Sequence, residues 1–274
     1  MRWPRRIFNF YLDASIHAAL AVICLLYCTG LLLNILVDRH LAFFLFFGSI
    51  SCYNFIKYGV EAEKYIRLAN PYHKSIQVFS FMCLAIAFYH FYFLNIETWL
   101  GIAVLMVLTG FYALPVLPGS KNLRSLGVLK VLLVAVVWAG ISVLLPVVAV
   151  KESPSWDIFI ETTQRFLMVF VLLVPFEIRD LRYDAKELGT LPQRFGVMNT
   201  KRIGMLAILL FLLLIFFRDV VIQFELLGKS IMAFMLATAL LMTHKDQNRY
   251  FASFWVEAIP IGWYVSLLVL NGRV

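Results

Sequence analysis

The stretch FEIRDLRYD, Phe176 to Asp184, follows a long apolar run and holds three acids, Glu177, Asp180 and Asp184. Their spacing, i, i+3 and i+7, puts three carboxylates on one stripe of a helix, and Glu187 extends it by three residues. Asp180 and Asp184 are also four apart, where like charges repel. Such a stripe calls for a cation. At a rise of about 1.5 Å per residue, Glu177 to Asp184 spans about 10 Å. That length suits a hydrated Mg2+ ion holding a diphosphate, because magnesium is usually bound through one or two carboxylates plus substrate phosphates. The plainer alternative is a solvated helix end neutralised by Arg179, Arg182 and Lys186. Spacing alone divides evenly between the two.

The elements that must position this stripe are apolar helices. The chain has 274 residues, of which 62% are hydrophobic and 15% charged. Its mean hydropathy is +0.85. A soluble domain carries roughly 25% charged residues, so the composition predicts an all-α, polytopic membrane protein forming a single unit over 1–274. A span needs about 20 mostly apolar residues. Nine candidates appear, at roughly 14–37, 41–58, 75–94, 98–117, 127–149, 162–178, 203–221, 224–243 and 251–270. The sixth carries Gln164 and Arg165 near its start. The opening MRWPRR resembles a signal peptide, but the apolar stretch behind it is long and many spans follow, so it reads as a retained first helix.

With the N-terminus in the cytoplasm, 18 Lys and Arg residues fall in inner segments and 6 in outer ones. The outer six are Arg39, Lys151, Arg165, Arg218, Lys229 and Arg273. This asymmetry follows the positive-inside rule and predicts an outer C-terminus, in the plasma membrane if the source is bacterial. It also assigns the net charge of +8 to cytoplasmic loops rather than to nucleic acid. The two longest connections, about 57–74 and 179–202, both lie inside. The expected site therefore faces the cytoplasm.

The remaining features read as structural. Cys24, Cys28, Cys52 and Cys83 all fall in apolar runs and imply neither a disulfide framework nor a zinc site. FYHFYF, Phe88 to Phe93, reads as an interfacial aromatic belt. Asp13 and His17, one turn apart, read as a local hydrogen-bonded pair, and Glu257 with Pro260 as a polar kink.

Residues 177–204 resemble the second acidic motif of the UbiA superfamily of membrane prenyltransferases. Glu177, Asp180 and Asp184 fill its acidic pattern, and Thr190, Leu191, Pro192, Arg194, Phe195 and Gly196 fill the segment that follows. Tyr112, Pro115, Lys121, Arg124 and Lys130 match in kind the Tyr-x-x-Pro and basic residues after the family's fourth span. The first acidic motif departs from the pattern. Asn54 is present, but Tyr58 and Ala62 occupy the two expected Asp positions. Glu61 could share the face of Asn54, and Lys57 could neutralise diphosphate charge without metal. The plainer reading makes Asn54 interhelical glue and Lys57 a snorkelling anchor.

The resemblance implies a nine-helix bundle that binds a polyprenyl diphosphate, with its head at the cytoplasmic mouth. It implies Mg2+ held by Asp180 and Asp184 with Glu177 in support, and Asp180 and Asp184 as the catalytic residues. Asn54, Lys57, Tyr58, Tyr112, Lys121, Arg124, Lys130 and Arg179 would bind substrate. The prenyl group would pass to a lipid-soluble acceptor, an aromatic ring such as a quinone precursor. Loss of the first Asp pair keeps a second possibility open, a non-catalytic relative that binds prenyl lipid or a partner membrane protein. A transporter is a third, but acids at a helix mouth rather than at broken helices near the midplane count against it.

Overall fold

The computed structural model describes residues 3–59, 71–113, 127–184 and 188–272. Among them every regular element is helical. The elements are α1 (Trp3–Asp13), α2 (Ile16–Leu32), α3 (Arg39–Asn54), α4 (Pro71–Phe91), α5 (Ile96–Ala113) and α6 (Val128–Ala139). They continue with α7 (Leu145–Ala149), α8 (Trp156–Asp180), α9 (Leu191–Leu213), α10 (Glu225–Met242) and α11 (Ile259–Leu270). Among the described residues, seven rods are long and apolar enough to cross a membrane, and one of them joins α6 to α7 across residues 128–149.

The first candidate span differs from the sequence expectation. Ser15 adopts a left-handed backbone (φ 58°). There the chain breaks into α1 and α2, bent by 56° to one another. Asp13 and His17 consequently lie on different helices and do not form the expected pair. Instead, His17 Nδ1 pairs with Tyr11 Oη at 2.7 Å, and His17 Nε2 donates to the carbonyl of Phe254 at 3.0 Å.

Three π-helical turns, Phe55–Gly59, Gly140–Leu144 and Phe251–Val256, continue or precede spanning helices. A π turn inserts a residue into the helical phase and often marks a functional region. The first begins immediately after Asn54, so a 3.6-residue period does not carry through to Lys57 and Tyr58. The helix α8 starts at Ser155, whose side chain accepts from the Ile158 N–H. Its Pro175 lies inside the helix, and the Pro175 carbonyl accepts from Gln247 Nε2 at 2.8 Å.

The helix α8 is the axis of the bundle, and most of its apolar length is enclosed by other helices. Met168, Val169, Val174 and Ile178 pack into the main core with residues of α2, α6, α9, α10 and α11. A smaller cluster joins Leu26, Leu41, Leu45, Ile102 and Leu145. In lipid, apolar contact alone gives little preference for one helix neighbour over another, so polar ties between helices carry more of the specificity. The buried Thr29 hydroxyl, donating to the Ser142 carbonyl at 2.6 Å, is one such tie.

Candidate active site at one end of the bundle

The acidic stripe lies at the C-terminal end of α8. Glu177 is buried, and its Oε1 pairs with Lys130 Nζ from α6 at 2.9 Å. Lys130 also lies 3.8 Å from Asp184 Oδ2. One ammonium thus sits between two of the three carboxylates. Asp180 turns elsewhere: Arg179 grips it through Nε (2.7 Å) and Nη2 (3.1 Å), in a two-pronged pair. Glu177 Oε2 and Asp184 Oδ2 are buried oxygens without a hydrogen-bond partner. Unpartnered buried acceptors are costly, and here two of them occur on the one stripe that sequence marks as cation-seeking.

Two glycines set the Lys130 helix against the segment that follows the stripe. Gly127 (φ 55°) precedes α6 and Gly189 (φ 61°) precedes Thr190. A Cβ on Gly127 would lie 2.2 Å from the Gly189 carbonyl oxygen and 2.3 Å from that of Leu188. Only glycine meets both the positive φ and this approach.

Across the mouth, Asn54 is committed to packing. Its Oδ1 accepts from Ser15 Oγ at 2.8 Å, and its Nδ2 donates to the Ala14 carbonyl (3.1 Å) and Ser80 Oγ (2.9 Å). Lys57 Nζ and Tyr58 Oη both donate to the Asp13 carbonyl, at 3.1 and 3.0 Å. The Asp13 carboxylate accepts from Tyr72 Oη (2.9 Å) and pairs with Arg249 (3.2 Å). Glu257 lies within electrostatic reach of both Lys57 and Arg179. The Tyr112 side chain, Lys121, Arg124, Glu61 and Glu187 lie outside the described residues. Among the described residues, no three His, Cys, Asp or Glu side chains are grouped to hold a metal by themselves.

The opposite end holds a constellation that the sequence reading missed. Glu161 and Arg165 of α8 pair at 2.9 Å, and Lys229 of α10 pairs with Glu161 (2.9 Å) and Glu225 (2.7 Å). Glu161, Arg165, Glu225 and Lys229 are each no more than 1% exposed. Arg218 joins through Glu225 and lies 3.8 Å from Glu161 and 3.7 Å from Asp157. Arg165 further donates to the Leu25 carbonyl (2.7 Å), Ser142 Oγ (3.2 Å) and Thr29 Oγ1 (3.1 Å). Arg165, Arg218 and Lys229, expected at the outer loops, are therefore buried between helices, because each has a carboxylate to neutralise it. The available signal was the pair of i, i+4 acid–base couples, Glu161–Arg165 and Glu225–Lys229, inside apolar runs.

No protein-family profile and no curated protein sequence matches the chain. Solved structures do. A UbiA homolog from Aeropyrum pernix K1 superposes with a TM-score of 0.62 at 11% identity, covering 96% of this chain and 98% of that one. A digeranylgeranylglyceryl phosphate synthase gives 0.58 at 15% identity, with 97% and 99% coverage. A UbiA homolog from Archaeoglobus fulgidus bound to GPP and Mg2+ gives 0.57 at 13% identity, with 96% and 99% coverage. Identities this low carry the fold and nothing finer, and the coverage leaves almost no part of either chain outside it: this is a multi-pass helical membrane protein with the UbiA fold.

Proposed function

We propose that the chain binds a prenyl diphosphate at the acidic mouth and transfers the prenyl group to a lipid-soluble, aromatic acceptor. One observation carries this reading: Glu177 Oε2 and Asp184 Oδ2 are buried, unpartnered acceptors beside Lys130. They sit in a bundle whose structural neighbours bind GPP or DMAPP with Mg2+. Two carboxylate oxygens that make no hydrogen bond fit magnesium, which is usually bound through one or two carboxylates plus substrate phosphates. Glu177 and Asp184 would hold it, and Asp180, gripped by Arg179, would serve the site through that arginine. When bound, the ion supplies positive charge against the departing diphosphate.

The protein's own groups do the rest. Lys130 holds Glu177 and Asp184 in one place and brings its positive charge to the phosphate. Arg179 and Lys57 add charge at the rim, and Tyr58, Tyr112, Lys121 and Arg124 complete the substrate-binding set. In the transfer, the C1–O bond of the prenyl diphosphate breaks and pyrophosphate leaves with the electron pair. A ring carbon of the acceptor bonds to C1 and then loses its proton. The topology that goes with this reading is a single unit of nine spans, counting the bent α1–α2 pair and the shorter Ile96–Phe111 rod. Its N-terminus and acidic mouth face the cytoplasm, in the plasma membrane if the source is bacterial.

Pyrophosphate release from a panel of prenyl diphosphates, with and without Mg2+, tests the proposal. Asp184→Asn should lower Mg2+-dependent release by at least about tenfold, the equivalent of one lost charged contact. Asp180→Asn should lower it less. The reverse order would remove Glu177 and Asp184 as the metal pair. A second reading, binding without transfer, is favoured by the fate of the first motif, where Asn54 is consumed by packing and Tyr58 by Asp13. Binding of a prenyl diphosphate with no pyrophosphate released would select it.

A further inference from the structure

The end of the bundle opposite the acidic mouth contains a pocket of about 760 Å3. That volume falls within the usual range for small-molecule sites. It is lined by the end of α2 and the connection after it, Gly30 to Leu36, by Glu152, Ser155 and Asp157 ahead of and within α8, and by Arg218, Ile222, Phe224 and Asn271. Arg218 is only 9% exposed, yet it lines the pocket, and its Nε is a buried donor without a partner. At the pocket's rim, the carboxylate of Glu152 and the amides of Asn34 and Asn271 make no hydrogen bond or ion pair among the described residues. Asn34 moreover holds a left-handed backbone, φ 52°. The pocket also receives the first turn of α8 and abuts the first turn of α10, where backbone N–H groups favour phosphate.

Charge narrows the ligand. The ion network behind the pocket is balanced: Arg165, Arg218 and Lys229 face Asp157, Glu161 and Glu225. Glu152 then adds one negative charge at the rim. A free phosphate or a net-anionic headgroup would meet no surplus of positive charge. A zwitterion meets a donor at depth and an acid at the rim, in the order that a phosphate joined to a primary ammonium requires. The apolar walls, Leu31, Leu33, Leu36 and Val220, suit the glycerol and upper acyl carbons of a lipid.

We propose that this pocket binds the headgroup of a phosphoethanolamine lipid from the adjoining leaflet, with its phosphate against Arg218 Nε and its ammonium against Glu152. The site is independent of the acidic mouth and of any transfer reaction there. The test is lipid retention by the full chain in nanodiscs containing equal parts phosphatidylethanolamine, phosphatidylcholine and phosphatidylglycerol, read by native mass spectrometry. The wild-type chain should retain phosphatidylethanolamine about tenfold over the other two, as one charge-assisted hydrogen bond supplies. Phosphatidylcholine has the same charges but no N–H to donate. Glu152→Gln should bring phosphatidylethanolamine down to the phosphatidylcholine level, and Glu152→Lys should shift the preference to phosphatidylglycerol. Glu152 is exposed, so neither change threatens the fold. Equal retention of all three lipids by the wild-type chain, or an unchanged preference in Glu152→Gln, would overturn the proposal. Competition by soluble O-phosphoethanolamine as effective as that by the lipid would assign the site to a free solute instead.

Discussion

The two ends of α8 solve the same problem in opposite ways. Both hold carboxylates and cations in the apolar part of the chain, separated by some 15 residues from Arg165 to Asp180, or about 22 Å of helix. At one end, every carboxylate of Glu161 and Glu225 is matched by a cation, and of that network's charged groups only Arg218 Nε, on the pocket side, lacks a hydrogen-bond partner among the described residues. At the other, Glu177 and Asp184 share a single ammonium, and each has a buried oxygen that makes no hydrogen bond, that of Asp184 being the one 3.8 Å from Lys130. Ionisable groups within a membrane span are functional candidates by default. The contrast shows that completeness of pairing separates the cases. A closed, balanced set fixes helices, whereas an incomplete one keeps donors or acceptors for something that arrives.

The largest expected effect lies in the closed set. Lys229→Met removes the ammonium that touches Glu161, Glu225 and Gln164, leaving buried carboxylates short of a cation. Breaking one member of a buried ion set costs about 3–5 kcal/mol. A large fall in the denaturation midpoint in detergent should follow. Adding Glu225→Leu restores the balance of charge and should recover more than half of the loss, while a purely steric role for Lys229 would predict no recovery.

A smaller effect is expected where backbone geometry sets the open site. Gly127→Ala places a Cβ against two carbonyl oxygens, at 2.2 and 2.3 Å, on a backbone that already has positive φ. The α6 N-terminus must retreat from the Gly189 turn and carry Lys130 away from Glu177. The strain is of the order of 1–3 kcal/mol. Prenyl diphosphate binding should fall much further than stability does. If both fall together, the two glycines hold the fold rather than the site.

The acidic stripe was legible in the sequence because acids closing an apolar run stand out against it, and α8 does end at Asp180. The division of labour within the stripe was not. Whether Asp180 or Glu177 meets Lys130 depends on Arg179 folding back onto its neighbour, which residue spacing does not encode. The closed network was hidden for a different reason. Arg218 and Glu161 are far apart in the chain, and a rule that counts Lys and Arg near span ends assigns them to water. The helix break at Ser15 and the π turn after Asn54 change helical phase within one residue, so periodicity carried across them misplaces Asp13, His17 and Lys57.

The smallest expected effect asks whether Lys130 belongs to the open site or is merely a structural ion pair. Its ammonium sits where a divalent ion would compete for the same oxygens, 2.9 Å from Glu177 and 3.8 Å from Asp184. In Lys130→Met, Glu177 and Asp184 repel one another with no cation between them, while Asp180 keeps Arg179, and Mg2+ should relieve that repulsion. A ligand that binds only the folded state raises stability by RT ln(1 + [L]/Kd). A tenfold tighter Kd is thus worth up to about 1.4 kcal/mol, or roughly 2–5 °C in a chain of this size. The Mg2+-induced rise in melting temperature should therefore be larger in Lys130→Met than in the wild type, although the variant starts lower. Prenyl diphosphate binding without Mg2+ should weaken at the same time, because the ammonium that meets phosphate is gone. An equal Mg2+ shift in both proteins would place Lys130 with the closed network at the far end, as a tie between helices, and would leave the orphan oxygens of Glu177 and Asp184 without a cation to explain them.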